Sequence, residues 1–202
     1  MKRFILVLII SVLVVSSASA QMLQAVVGSS GIQSGTYTQT ISVDANAPSW
    51  RVNETAFYAG PEQHAGKTTV VLSMSNLFTS VTVPAGATIT SATFSYNVQA
   101  YNGSPALLVY GEDADNPSTV STAADGNGRT LTTANVDPAF TGTGNKDINV
   151  KTIVEEIIAR AGWATGQNMQ LFIKDNGSAD SANIESNSLS TYARTLTINY
   201  TY

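Results

Sequence analysis

The sequence predicts an all-β fold, an antiparallel sandwich carrying one short α-helix at about residues 150–161. Three observations predict it. Apolar residues alternate with hydroxyl and amide residues in several short runs. Clusters of Gly, Pro, Asn, Asp and Ser separate those runs. Only one segment, "VKTIVEEIIARAG", switches to a period near 3.6.

The strand runs, in order, are "TYTQTISV" (36–43), "TTVVLSM" (68–74), "SATFSYNVQA" (91–100), "ALLVYGE" (106–112), "NMQLFIK" (168–174) and "RTLTINYTY" (194–202). Phe94, Tyr96 and Val98 fall on one face of their run, and Thr93, Ser95 and Asn97 on the other. Leu196, Ile198, Tyr200 and Tyr202 alternate in the same way with Thr195, Thr197, Asn199 and Thr201. Such runs are strands with one buried and one wet face. The connecting turns are "NAPS", "PAGA", "YNGSP", "DGNG" and "KDNGS". In the helix, Val150, Ile153, Val154, Ile157 and Ala161 make an apolar stripe, with Asn149 as expected N-cap and Gly162 as expected C′ residue. Trp163, directly after the stop, is expected to plug the junction between helix and sheet.

Residues 1–20 read as an export signal. Lys2 and Arg3 precede an apolar core of about a dozen residues, and Ala18-Ser19-Ala20 supplies the small-x-small cleavage pattern. That core is shorter than the roughly 20 residues that span a bilayer. The expected organisation is a signal (1–20), an N-terminal segment with the candidate first strand "MLQAVV" (21–36), and a sandwich domain (37–202). Cleavage removes two positive charges, taking the formal charge from −4 to about −6. This disfavours nucleic acid and anionic membranes as partners, since both reward basic patches. The chain has no cysteine, so disulfides and thiol chemistry are excluded and the core must hold the fold alone.

The run "VTVPAGATITSATFSYNV", a long polar loop, "INVKTIVEEIIARAGWATGQNMQLFI" and the closing "RTLTINYTY" together resemble the jelly-roll modules of exported bacterial and archaeal proteins, including DNRLRE-type and carbohydrate-binding-module-like domains. The resemblance spans roughly residues 68–202. It rests on the P-x-G-A-x-I-x-S-A lead-in from Pro84 to Ala92 and on the Gly162-Trp163-x-x-Gly166-Gln167 stop. It implies a jelly-roll sandwich used for binding or construction outside the cell.

No catalytic constellation stands out, and the chain is expected not to be an enzyme. His64 is the single histidine and has no nucleophile-elbow serine to accompany it. Glu155 and Glu156 are adjacent on a helix, so they diverge by about 100° and read as a solvated face. Glu112, Asp113 and Asp115 form the densest acidic group, a candidate calcium site set against the preferred reading of a solvated loop without cofactor. Trp50 in "NAPSWRV" and Tyr101 in "YNGSP" are the loop aromatics expected to meet a sugar. The expected function is a secreted or cell-surface, non-catalytic module that binds polysaccharide or cell-surface glycan. The alternative is a structural subunit that assembles with copies of itself into a surface layer or fibre through its apolar N-terminal strand. Intact-mass measurement of the exported form should show a chain beginning at Gln21; retention of Met1 would refute the signal reading.

Overall fold

The computed structural model describes residues 31–41, 49–51, 57–58, 72–102, 106–138, 142–176, 181–184 and 194–202. The signal segment, the "MLQAVV" segment and His64 lie outside the described residues. One compact unit begins at Ser34, three residues before the expected start of the sandwich. Its strands are β1 (Ser34–Thr40), β2 (Ser49–Arg51), β3 (Phe57–Tyr58), β4 (Leu72–Phe78), β5 (Thr88–Asn102) and β6 (Leu107–Glu112). They continue with β7 (Leu131–Val136), β8 (Gly144–Asn149), β9 (Met169–Asp175), β10 (Ser181–Ile184) and β11 (Thr195–Thr201). Two helices interrupt them, α1 (Ala123–Gly128) and α2 (Lys151–Ile158).

All pairings are antiparallel and fall into two sheets. In the first, β1 pairs with β11 and β11 with the long β5. Ser95 pairs with both Thr195 and Asp147, and Val98 with both Ile184 and Gly144. A strand residue has one neighbour on each side, so β8 flanks β5 opposite β11, and β10 continues the line of β11. The second sheet runs β3-β2-β4-β9-β6-β7. After β4 the chain passes to the first sheet for β5, back for β6 and β7, across for β8, back for β9 and across again for β10 and β11. The order β1-β11-β5-β8 facing β4-β9-β6-β7 is that of a jelly roll.

The inner faces meet as the alternation requires. Phe94, Tyr96, Val98, Leu196 and Ile198 of the first sheet and Met74, Phe78, Val109, Met169, Leu171 and Ile173 of the second belong to one buried cluster. Arg194 is also fully buried, its Nη1 donating to Asn76 Oδ1 at 2.7 Å while Asn76 Nδ2 donates to the Leu171 carbonyl.

Helix α2 buries Ile153, Val154, Ile157 and Ile158, and packs on β5 of one sheet and on β6 and β7 of the other. It therefore seals a flank of the sandwich. It is shorter than expected: Ala161 lies beyond it, exposed, and Ile158 takes the place predicted for that alanine in the stripe. Asn149 caps as expected in substance, its Oδ1 accepting from Lys151 N at 3.0 Å, although Val150 occupies the boundary position. Gly162 is not the C′ residue. The helix ends at Ala159, and Gly162 lacks a positive φ; a Cβ there would fall on the Asp115 carboxylate. Trp163 does plug the junction, buried with Nε1 donating to the Val83 carbonyl at 3.1 Å.

The lead-in motif is a turn in which Ala87 N donates to the Pro84 carbonyl at 3.2 Å and Gly86 takes φ +76°. A positive φ at that third turn position favours glycine. Six elements were not expected, the short strands β2, β3 and β10 among them. Strands β7 and β8 occupy what reads as a long polar loop, and α1 forms in the "DGNG" turn cluster. Helix α1 persists because Thr122 Oγ1 caps it, accepting from Asp125 N, and because it lies on Phe172, which clusters with Val120, Ala123, Tyr110 and Leu131. Ile153→Ala or Ile157→Ala should each lower stability by roughly 2–5 kcal/mol. An unchanged urea midpoint in both variants would show that α2 does not seal the core.

Candidate functional site

The acidic residues grouped by sequence go to two different arginines. Glu112, at the end of β6, is 4% exposed and accepts from Arg129 Nη1 at 2.9 Å. Arg129 also holds Asp125 with Nε at 2.7 Å and Nη2 at 3.0 Å. Asp125 Oδ2 accepts in addition from Ser121 N and Oγ. The Gln170 amide, oriented by its hydrogen bonds, donates to Glu112 Oε2 at 2.9 Å and to the Ser118 carbonyl, and accepts from Ser75 Oγ. Burial raises the Glu112 carboxyl above its ordinary range, against the pull of Arg129. The hydrogen bonds from Arg129 hold Asp125 down at about 2.

Asp113 and Asp115 turn the other way, to Nη1 and Nε of Arg160, which lies just past α2. Behind them Asn116, at φ +48°, accepts from Asn168 N, while Asn168 Nδ2 donates to the Pro117 carbonyl. The candidate calcium ligands Glu112, Asp113 and Asp115 are thus divided between two guanidinium groups. Among the described residues no three His, Cys, Asp or Glu side chains converge as a metal site requires.

Glu156 is not a solvated helix residue. Its carboxylate accepts from Thr133 N and Ala134 N, both at 2.7 Å, and so ties α2 to the backbone of β7. Glu155 stays at the surface, 3.7 Å from Lys151 Nζ. Trp50 and Tyr101 do not lie in loops as expected. Trp50 lies in β2, paired with Phe57 and Ser73, and Tyr101 lies in β5, paired with Ala182. Their side chains are outside the described residues. A shallow groove of about 480 Å³ runs between the end of α2 and the Pro84 turn, lined by Ile89, Ile158 and Trp163 among others. Its arginine, Arg160, is already committed to the two aspartates.

The outer face of the first sheet brings functional groups together. Pairing places Thr40, Thr195, Ser95 and Asp147 in one row across four strands. Thr38, Thr197, Thr93 and Asn149 make the next row, and Thr36, Asn199 and Ser91 the third. Neighbouring groups bond within rows: Thr40 with Thr195 at 2.9 Å, Ser95 with Asp147 at 2.6 Å, Thr36 with Asn199 at 2.7 Å and Asn199 with Ser91 at 2.9 Å. Strand geometry spaces these groups about 4.8 Å within a row and about 6.7 Å between rows. The result is an open lattice of oriented hydroxyl and amide groups, with Asp147 as the sole charge in the three rows. Alternation announced the individual residues, whereas the rows exist only once the strands are paired.

No protein-family model matches the chain, and no curated protein matches it.

The carboxylates fix a pH response. Asp125 is lowered from 3.8 to about 2 in the folded protein. A depressed carboxyl stabilises the fold above its unfolded value and loses that contribution as pH falls through the folded one. The thermal midpoint should therefore fall between about pH 4 and pH 2, and Asp125→Asn should flatten the decline. An identical decline in the variant would remove Asp125 as its source.

Proposed function

We propose that the chain is an exported, non-catalytic module that binds an extended polysaccharide on the outer face of its first sheet. The observation that carries this reading is the lattice of Thr, Ser and Asn side chains in three registered rows. A polysaccharide is itself a repeating array of hydroxyl donors and acceptors, and a flat periodic surface meets several of its residues at once. Groups already oriented by their row neighbours lose little freedom when they bind. The commitment of Glu112, Asp113, Asp115 and Glu156 to partners within the protein supports a binding role over acid–base chemistry.

Retention of the exported form on a panel of insoluble polysaccharides tests this. Thr197→Lys, at the centre of the lattice, should abolish retention with the thermal midpoint held within a few degrees. Trp50→Ala and Tyr101→Ala should leave retention intact. If Trp50→Ala abolishes retention and Thr197→Lys does not, the face is wrong and the tryptophan is the sugar platform.

A further inference from the structure

Strand edges are sites of addition unless a protein guards them, and the usual guards are charge, proline, bulges or a covering element. Two edges here are guarded. Strand β8 carries Lys146 and Asp147, and the β7 backbone is engaged by Glu156. Strand β1, at the end of the first sheet, has no such guard among the described residues. Its sequence "SGTYTQT" holds no charge and no proline, and it pairs with β11 over seven residues without a register shift.

The hydrogen-bond pattern shows which backbone groups face outward. Ile41 N donates to the Arg194 carbonyl at 2.9 Å, so the odd-numbered residues of β1 direct their backbone groups to β11. The even-numbered residues direct theirs to the open edge. The cross-strand bonds at 36/199, 38/197 and 40/195 agree, because side chains approach most closely at pairs that exchange no backbone bonds. Ser34, Thr36, Thr38 and Thr40 are all exposed.

We propose that this edge is a self-association site, where β1 of a second copy adds antiparallel about a two-fold axis at Tyr37. That register sets Thr36 opposite Thr38 and Ser34 opposite Thr40 of the other copy. These are the residues whose backbone donors and acceptors face outward. It also satisfies the requirement that a two-fold interface match itself. A second copy fits better than a charged partner because β1 offers neutral, short side chains and no ion to pair. The chain's net charge of −4 sets no like charge against itself along this strand. The joined sheet carries its threonine rows from one copy into the next.

Light scattering on the exported form across a wide concentration range, with two edge variants, tests the proposal. Thr38→Pro removes an outward N–H without breaking the ladder to β11, and Thr38→Lys sets a charge on each side of the axis. The wild type should dimerise as concentration rises, and both variants should stay monomeric with circular dichroism unchanged. If Thr38→Pro fails to fold, Thr38→Lys decides. A wild type monomeric at every concentration overturns the proposal, as does a dimer that persists in the folded variants. The readout is mass, so it stands or falls independently of polysaccharide retention.

Discussion

The fold turns on one close approach. Gly111 in β6 has no Cβ, and one placed there would lie 2.6 Å from Ile157 Cδ1 and 2.8 Å from Ile153 Cγ2. Those two methyls therefore rest directly on the strand backbone, and a side chain at 111 would have to displace them. The same glycine donates its N–H to Thr132 Oγ1, which passes a bond on to the Ala134 carbonyl. Glu156 then meets the next two N–H groups of β7. Seating the helix at that depth brings Arg160 to the two aspartates and Trp163 to the Val83 carbonyl. Each contact presupposes the one before it.

An acidic chain with few cations spends several of them inside itself. Arg129 clasps α1 to the outer face of the second sheet, Arg160 gathers the loop after β6, and Arg194 lies at the core. Partly buried, hydrogen-bonded pairs of this kind fix geometry more than they add net stability. What remains outward on the first sheet is a nearly neutral lattice of hydroxyl and amide groups, suited to recognition by geometry instead of by charge.

Much of this was legible in the sequence. Two-residue alternation marked β5, β6, β9 and β11 because each has one face in the core, and the helical stripe marked α2 because its burial is one-sided. Strands β7 and β8 were not legible: "LTTANV" and "GNKDIN" bury few side chains, and pairing and helix contacts hold them in place, not apolar pattern. Glu156 reads as solvated from its helix alone, since its partners are backbone groups over twenty residues away. The Asp125–Arg129 spacing of four was a readable signal of a local ion pair. Trp50 and Tyr101 read as loop residues because turn-forming residues flank them, whereas the strands run through both positions.

The place of β11 has a consequence for how the chain is made. It lies between β1 and β5, two strands synthesised long before it, and it is the last of the described strands to leave the ribosome. Until residue 201 has emerged, β1 lacks the strand it pairs with, and residues 88–95 of β5 lack their partner on that side. Contacts between such distant parts of a chain form slowly and leave unpaired strands open to aggregation. A nascent chain of this design therefore leaves its first sheet incomplete until β11 has been made.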